Sequence, residues 1–401
     1  MAARPQDLTF SNMPTPHRLA LISSQAFSIG NFRGPLVRDL AQAGVEVFAL
    51  APDYDDRQRD IVRALGAQPV DISLDRTGMN PLRDGLDMLR LAAVLRRLRV
   101  DTSFAYFIKP VIYGTLAAWL AGVPRRFALI PGLGYVFTHS GEYLPWRRRL
   151  LQAGVSRLYR TALARADRVV FQNPDDVEAF VTASWVAADR AICIRGTGVN
   201  LTEWSPTPPV LEPVTFVLAA RLLREKGIAE FAEAARRVKA RHPEARVVLL
   251  GDLDPNPGGF SRADVEAWVA QGVLEWPGHV DVQPWLARAS VYVLPSYREG
   301  VPRSTQEAMA MGRPVITTDA PGCRETVIDG GNGFLVPVRD VDALAERMLR
   351  FIENPALIET MGRRSRQLAE ERFDVRRINA RLLEVLGIAP APTQAKPSGT
   401  G

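Results

Sequence analysis

The sequence has few of the residues on which disulfide frameworks and metal sites depend. Its 401 residues include only two cysteines, Cys193 and Cys323, one in each half, and four scattered histidines. Such usage indicates a reducing compartment, no disulfide framework and no zinc-ligand motif. Neither a metal ion nor another cofactor is therefore expected.

Long apolar runs are also absent. No run reaches the ~18 uninterrupted apolar residues that a membrane-spanning helix needs, and the start of the chain lacks the apolar segment of a signal peptide. Residues 1–16 and 388–401 have the composition of disordered tails. We therefore expect a cytoplasmic protein.

Lysine is rare as well, although the chain is basic. The formal net charge is +6, and only four of the 50 basic residues are lysines. This balance first suggests nucleic-acid binding, but no basic and aromatic motif accompanies it, and no nucleic acid is expected as a partner. The densest basic cluster contains Trp146, Arg147, Arg148, Arg149, Arg157 and Arg160. An amphipathic basic segment with a tryptophan is typical of a patch that binds an anionic membrane surface, and a solvated helix face is the alternative.

Apolar runs that alternate with helical segments predict an α/β protein. The length and a hydrophobic content of 47% allow two domains with ample cores. Strands are predicted at 18–23 and 45–51, with a helix at 36–43 between them. Residues 25–33 are predicted as a glycine loop that contains Gly30, and the absence of a G-x-G-x-x-G motif argues against a tightly bound dinucleotide.

The boundary between the two domains is predicted from proline. A proline-rich stretch at 206–213 has the composition of a linker. The N-terminal domain is expected to span residues 17–205 and the C-terminal domain residues 206–370. Residues 371–387 are expected to cross back and pack on the N-terminal domain.

The most informative stretch is REGVPRSTQEAMA at residues 298–310. It follows an apolar strand at 291–294 and continues into a predicted helix and another strand, a unit that builds parallel sheets with ligand loops at the carboxyl ends of strands. Glu299 lies in the loop and Glu307 in the first helical turn. One interpretation is a capping box, in which Ser304 and Glu307 merely begin the helix. The other is that both carboxylates bind a ligand.

The whole string, with its continuation EAMA…G-x-P-V-I-T-T, resembles the signature of the family 4 retaining glycosyltransferases. The resemblance implies the GT-B fold: two Rossmann-like domains with parallel sheets that face a cleft. It also implies that Glu299 lies against the transferred sugar and that Glu307 binds the ribose of a nucleotide sugar. Gly300, Val301 and Pro302 complete the implied donor loop.

A pair of cations is predicted to bind the donor diphosphate. Arg221 and Lys226 flank a loop between a predicted strand at 214–219 and a helix at 228–241. Cations and the N–H groups of a helix start bind phosphates, with arginine as a fork and lysine as a point charge. The resemblance implies that this is the donor-diphosphate pair, and with Glu299 these are the predicted catalytic residues. The nearby D-L-D at 252–254 matches the metal motif of a different glycosyltransferase architecture, which the two-Rossmann type does not require.

Strings in the first half resemble one subgroup of the family, whose members extend polyprenyl-diphosphate-linked sugars in capsule, exopolysaccharide or glycan assembly. The strings are NFRGPL (31–36), RTGMNPLRD (76–84), YFIKPVIYG (106–114), GLGYVFT (132–138) and FQNPDD (171–176). They imply that the Gly30 loop contacts the donor diphosphate. They also imply an acceptor or cleft set, namely Asn31, Arg33, Lys109, Gly132, Gly134 and Tyr135. Many members carry a histidine where Pro131 and Gly132 stand here, so His139 has no implied role.

The predicted function is retaining, metal-independent transfer of a hexose or N-acetylhexosamine from a UDP sugar to a polyprenyl-diphosphate-linked saccharide. The enzyme is expected on the inner face of the cytoplasmic membrane, bound peripherally. The alternatives are a nucleotide-sugar 2-epimerase on the same fold, a glycosyltransferase with a soluble acceptor, and a basic scaffold protein without chemistry. A glycosidase-type carboxylate pair does not fit a frame with a diphosphate site.

Overall fold

Two parallel β-sheets organise the chain, one in each half. The structure is a computed structural model, and it describes residues 17–74, 80–132, 146–256 and 258–389. Within these residues all strand pairings of both sheets are parallel. This arrangement confirms the predicted α/β class with two Rossmann-like domains.

The first sheet lies in the N-terminal half. Its strands are β1 (Arg18–Ile22), β2 (Glu46–Ala51), β3 (Ala67–Asp71), β4 (Thr102–Tyr106), β5 (Arg125–Ile130), β6 (Arg168–Phe171) and β7 (Ala191–Cys193). The helices of this half are α1 (Ala26–Gln42), α2 (Asp56–Ala64), α3 (Pro81–Leu98), α4 (Thr115–Ala121), α5 (Trp146–Leu163) and α6 (Pro174–Thr182). The strand order is β3-β2-β1-β4-β5-β6-β7.

The second sheet lies in the C-terminal half. Its strands are β8 (Thr215–Ala219), β9 (Arg246–Leu250), β10 (Glu275–Gly278), β11 (Val291–Leu294), β12 (Val315–Thr318) and β13 (Gly333–Val336). The helices are α7 (Ile228–Arg241), α8 (Arg262–Ala270), α9 (Gln283–Ala287), α10 (Arg303–Ala310), α11 (Val341–Glu353), α12 (Ala356–Arg372) and α13 (Val375–Leu386). The strand order is β10-β9-β8-β11-β12-β13.

The central strands are buried along their length. All residues of β8 and β11 are buried; β11 is a continuous apolar run, and β8 is one after its first residue, Thr215. Helices on both faces of a parallel sheet require this pattern. In each sheet the strand order reverses beside one central strand, β1 in the first and β8 in the second. Ligands bind in the crevice that such a reversal leaves at the carboxyl ends of the strands.

The first helix differs from the prediction. α1 begins at Ala26, so Gly30, Asn31 and Arg33 lie inside a helix, and the predicted glycine loop is wrong. The start is fixed by a contact that is distant in sequence, because the Ala26 N–H donates to Asp53 Oδ1 at 2.6 Å.

Gly30 serves packing between helices in this position. A Cβ on Gly30 would approach Ile61 Cγ2 of α2 to 2.9 Å. The glycine therefore permits the close contact of α1 with α2, and the structure gives no loop in which it could contact a diphosphate.

The last helix packs on the first half of the chain. Ile378, Leu382 and Leu386 of α13 belong to the same buried cluster as β1 and α1. Asn379 Nδ2 donates to Asp39 Oδ2 of α1 at 2.7 Å. The chain thus returns to its first domain after completing the second.

Candidate active site

The loop that carries Glu299 contacts the first half of the chain. Asn173 Nδ2 donates to the carbonyl oxygens of Gly300 at 2.8 Å and Glu299 at 3.4 Å. A Cβ on Gly300 would overlap the Pro131 carbonyl oxygen, and one on Gly132 would lie 3.1 Å from Gly300 N. Two glycines therefore allow the backbones of the two halves to meet at the carboxyl ends of β5 and β11.

Ion pairs surround this backbone contact. Arg298 pairs with the buried Asp176. Arg324 Nη1 lies 2.7 Å from Asp175 Oδ1, and Arg195 Nε lies 2.9 Å from Glu325 Oε2. Most of these residues were not singled out from the sequence. The FQNPDD string, whose asparagine and aspartates bind the second half, thus holds the two domains together.

Glu299 and Lys226 contact each other. Lys226 Nζ lies 2.5 Å from Glu299 Oε1, which also accepts a hydrogen bond from Ser296 Oγ at 2.8 Å. The two side chains are mostly buried. Glu299 Oε2 accepts no hydrogen bond from the described residues, so only one of the two carboxylate oxygens is fixed.

Lys226 is placed by the start of α7. It ends a short 3-10 turn, and Gly227 follows with φ +72°. A Cβ on Gly227 would overlap the Pro295 carbonyl oxygen. Only glycine allows α7 to begin so close to the end of β11, and this proximity brings Lys226 to Glu299.

Arg221 is paired within the second half as well. Its Nη1 lies 2.7 Å from Asp254 Oδ2, and about half of its side chain is exposed. The Asp254 pKa lies below its ordinary value, because hydrogen bonds from Asn256 and Arg221 outweigh the effect of burial.

The D-L-D segment makes local contacts. Asp252 Oδ1 accepts from the Leu253 N–H at 2.8 Å, and Asp254 Oδ1 accepts from the Asn256 N–H at 3.0 Å. In the described part of the chain, no group of three or more His, Cys, Asp or Glu could hold a metal ion. Metal-independent chemistry stays a prediction.

Glu307 does not act as a helix cap. α10 begins at Arg303 after Pro302, without a side-chain cap, and the Tyr292 hydroxyl donates to Ser304 Oγ at 2.6 Å. The capping-box interpretation is therefore wrong. Glu307 Oε1 instead accepts from Arg303 Nε at 2.8 Å. Burial raises the Glu307 pKa above its ordinary value, although Arg303 opposes the shift.

Arg303 connects Glu307 to the first domain. Its Nη1 donates to the Asn31 carbonyl oxygen, and its guanidinium lies 5.5 Å from the centre of the Phe32 ring. That carbonyl is available because Pro35, four residues further along α1, has no N–H to donate. Sequence reasoning missed Arg303, and the proline inside α1 is the signal that could have found its acceptor.

Arg33 is buried without a counter-charge. Its side chain is 3% exposed, and its guanidinium lies 5.4 Å from the centre of the Tyr106 ring. No carboxylate of the described residues pairs with it, and its buried Nε has no hydrogen-bond partner. Burial lowers the Arg33 pKa to about 10; Tyr106 opposes the shift and Arg303 adds to it.

Lys109 is paired inside the first half. Its Nζ lies 2.8 Å from Asp84 Oδ1, and both side chains are mostly buried. Asp84 and Lys109 come from two of the strings that carry the subgroup resemblance, so the fold brings these strings together. Lys109 thus has its charge balanced within its own domain.

Several predicted residues cannot be placed fully. Gly134, Tyr135 and His139 lie outside the described residues. Trp146 to Arg149 form the first turn of α5, with their side chains outside the described part, and Arg157 and Arg160 further along are exposed. Among the described helices, none combines the length and the apolar composition that a membrane-spanning segment requires.

Comparisons with known proteins agree on the family. The family model described as "Glycosyl transferase 4-like domain" matches residues 29–195, and "Glycosyl transferases group 1" matches residues 213–354. A curated relative, the N,N'-diacetylbacillosaminyl-diphospho-undecaprenol alpha-1,3-N-acetylgalactosaminyltransferase of Campylobacter jejuni, is 28% identical over 87% of this chain and 93% of its own length.

A second relative and a solved structure extend this finding. The alpha-maltose-1-phosphate synthase of Mycolicibacterium smegmatis is 30% identical over 67% of this chain and 76% of its own length. Anabaena HepE, solved in complex with UDP-glucose, matches with a TM-score of 0.72 at 17% identity, over 92% of this chain and 99% of that one. Together with the two parallel sheets, these matches show that the chain belongs to the family 4 glycosyltransferases and has their GT-B fold.

Proposed function

We propose that this glycosyltransferase moves a hexose or N-acetylhexosamine from a UDP sugar to a polyprenyl-diphosphate-linked saccharide, with retention of anomeric configuration. The observation that carries the proposal is the contact of Lys226 with Glu299 at 2.5 Å, beside the first domain. A cation for the leaving group and a carboxylate for the sugar lie side by side there. The name of the C. jejuni relative supports a lipid-linked acceptor, and the HepE complex supports UDP.

Arg221 and Lys226 act on the leaving group in this proposal. The bond that breaks joins the sugar C1 to a phosphate oxygen, so negative charge develops on the diphosphate as the reaction proceeds. Preorganised cations at that position stabilise the transition state. Both side chains contact carboxylates of the second domain, and a diphosphate offers arginine a bidentate partner of higher charge.

Glu299 positions the sugar, and the acceptor is deprotonated by the leaving group. The acceptor oxygen forms a bond to C1 on the face from which the diphosphate departs. Its proton passes to the departing phosphate oxygen, so no covalent glycosyl-enzyme is needed. The Oε2 of Glu299 binds a hydroxyl of the transferred sugar, while Lys226 and Ser296 hold Oε1 in place.

Glu307 binds the ribose of the nucleotide. Its carboxylate is held by Arg303 and is mostly buried. A ribose diol can donate two hydrogen bonds to such a group, and bonds to a charged acceptor are the strong ones. Arg303 then connects the bound nucleotide to α1 of the acceptor domain through the Asn31 carbonyl.

The reaction proceeds without a metal ion in this proposal. The two cations supply the charge that a divalent ion would otherwise provide, and Asp252 and Asp254 are engaged by backbone N–H groups. We expect an excess of EDTA to leave turnover unchanged. Loss of activity that Mn²⁺ restores would contradict metal independence.

The enzyme binds the inner face of the cytoplasmic membrane through the basic start of α5. A lipid-linked acceptor presents its sugar at the bilayer surface, and the enzyme must reach it there. Arg157 and Arg160 are exposed on α5, whose first turn contains Trp146 and three arginines. Each basic residue near an anionic surface contributes about 1 kcal/mol.

A two-step experiment tests the function. Purified protein is first screened against nucleotide sugars by thermal shift, and the stabilising donor is then incubated with a short-chain prenyl-diphosphate sugar. We expect a glycosylated lipid and one nucleoside diphosphate per transfer. Nucleoside diphosphate release together with an epimerised free sugar, or no release with any sugar acceptor, would contradict the proposal.

A further inference from the structure

Two arginines of the described residues, Arg33 and Arg313, are buried, and they differ in their hydrogen bonds. Arg313 is fully buried, and its Nη2 donates to the carbonyl oxygens of Thr207 at 2.8 Å and Ala287 at 3.4 Å. The bond to Thr207 fastens the interdomain linker, which is a structural role, although Arg313 Nε and Nη1 are buried without a hydrogen-bond partner. Arg33 has no such acceptors in the described part of the chain, although it is almost equally buried.

Removing a cation from water without a partner is unfavourable. An unpaired buried charge destabilises a fold by several kcal/mol, and an apolar side chain of similar size is often more stable at such a position. Arg33 contacts the Tyr106 ring, but a cation–π contact replaces only part of the lost hydration. The fold therefore retains a costly charge here, which is expected where a ligand uses it.

The position of Arg33 points to a ligand that enters between the domains. α1 follows β1 directly, and Tyr106 ends β4, so Arg33 lies where the strand order of the first sheet reverses. Arg303 of the second domain reaches the same helix, because its Nη1 donates to the carbonyl oxygen of Asn31, two residues before Arg33. Arg303 is neutralised by Glu307, whereas Arg33 is not, so the cluster of Arg33, Arg303 and Glu307 carries one uncompensated positive charge.

We propose that Arg33, assisted by Arg303, binds the diphosphate of the lipid-linked acceptor. The planar fork of an arginine matches phosphate oxygens, and two neighbouring guanidinium groups suit a group with more than one negative charge. The donor has a diphosphate too, but the second domain already provides Arg221 and Lys226 for it. This inference rests on the proposed function, and it names the part of the acceptor that the enzyme recognises.

Matched acceptors and variants test the inference. Arg33→Met removes the charge, Arg33→Lys keeps it without the fork, and Arg38→Met changes an exposed arginine on the same helix. Each protein is assayed with the prenyl-diphosphate sugar and with the same sugar as an alkyl glycoside without phosphate.

We expect Arg33→Met to lower kcat/KM for the diphosphate acceptor about 10- to 100-fold, the range for one lost charge-assisted hydrogen bond. Arg33→Met should leave kcat/KM for the alkyl glycoside and the KM for the donor unchanged. Arg33→Lys should recover part of the loss with the diphosphate acceptor, and Arg38→Met should match wild type. An equal loss with both acceptors, or a higher KM for the donor alone, would overturn the inference.

Thermal unfolding separates binding from structure. Arg33→Met should unfold at the same temperature as Arg38→Met or a higher one, because it removes an unpaired buried charge. Unfolding at a lower temperature for both Arg33→Met and Arg33→Lys would show a structural role and overturn the inference.

A binding test remains informative if no lipid acceptor is used at all. Sodium pyrophosphate is added to Arg221→Ala, in which the donor pair is broken, and to the double variant with Arg33→Met. We expect thermal stabilisation of the single variant and none of the double variant. Equal stabilisation of both would overturn the anion site, whether or not the proposed transfer occurs.

Discussion

The two sides of the cleft differ in how their charges are balanced. On the side of the second domain each cation contacts a carboxylate: Lys226 with Glu299, Arg221 with Asp254 and Arg303 with Glu307. On the side of the first domain, Lys109 is paired with Asp84, but Arg33 is buried and unpaired among the described residues.

This difference in charge balance indicates how each side of the cleft binds its substrate. Paired groups hold one another in position, so we infer that the donor side is ordered before its substrate arrives. An unpaired buried cation gains a partner only from a ligand. We therefore infer that the first domain receives the anionic group of the acceptor and that the second receives the donor diphosphate.

The largest expected effect comes from removing a cation of the donor side. Arg221→Ala and Lys226→Ala should each lower kcat about 100-fold or more, the usual loss for one group that stabilises developing charge. Lys239→Ala, which removes a lysine from the far end of α7, is the matched control and should match wild type. Steady-state turnover at saturating donor measures the effect. Near-wild-type rates in both variants would contradict the assignment of Arg221 and Lys226 to the donor diphosphate.

A second effect concerns the glycine contact that joins the two sides. Gly300→Ala places a Cβ on the Pro131 carbonyl oxygen, so the domains must shift apart. Misplacement of reacting groups by about 1 Å costs on the order of 100-fold in rate. Gly85→Ala on α3, where a Cβ meets nothing, is the control. Unchanged kcat in Gly300→Ala would show that the cleft does not need this contact.

A smaller effect is expected from the carboxylates of the donor side. Glu307→Gln should weaken nucleotide binding about 10-fold, as expected for a lost charge-assisted hydrogen bond, whereas Glu299→Gln should mainly lower kcat. Calorimetric titration with the nucleoside diphosphate and initial rates separate the two. Equal effects of both variants on affinity and on rate would contradict the separate roles.

The pH dependence of nucleotide binding sharpens the assignment of Glu307. Burial raises its pKa, so the carboxylate protonates at a higher pH than an ordinary glutamate. Wild type should therefore lose nucleotide affinity as pH falls through this raised pKa, and Glu307→Gln should lack that loss. If Glu307→Gln still loses nucleotide affinity at acidic pH, a group other than Glu307 is responsible for the loss.

The smallest expected effect on turnover comes from the membrane patch. Replacing Arg147 to Arg149 by Ser should weaken binding to anionic liposomes on the order of 100-fold at low salt, since three charges at about 1 kcal/mol each are lost. Transfer to a long-chain acceptor should slow a few-fold. Wild type and the triple variant should use a short soluble acceptor equally well. The control replaces three exposed arginines of α12 and α13, Arg363, Arg372 and Arg377. Equal liposome binding by both triple variants would show that Arg147 to Arg149 form only a solvated helix face.

The second domain was predicted well because its signals are local. Apolar runs bounded by proline and glycine place β11 at Val291–Leu294 and α7 at Ile228–Arg241, as the sequence predicts. The contact between Lys226 and Glu299 joins residues far apart in sequence, and only the family resemblance placed both at one site.

The first domain was predicted less well because its site depends on contacts between distant residues. Gly34 and Pro35 have the pattern of a helix start, yet the bond from Ala26 to Asp53 begins α1 earlier. The neighbourhood of Arg33 and Arg303 requires the relative position of two domains, which no local pattern encodes. The sequence could therefore indicate a candidate such as Arg33 without revealing that it lacks a partner.

The most direct test of the account is the dependence of nucleoside diphosphate release on the acceptor. Wild-type enzyme is given its stabilising nucleotide sugar alone, with an alkyl glycoside, and with the same sugar linked to a prenyl diphosphate. The account predicts negligible release alone, slow release with the glycoside and release about 10- to 100-fold faster with the diphosphate acceptor. Equal release in all three mixtures would contradict a cleft whose first domain is prepared for an anionic acceptor.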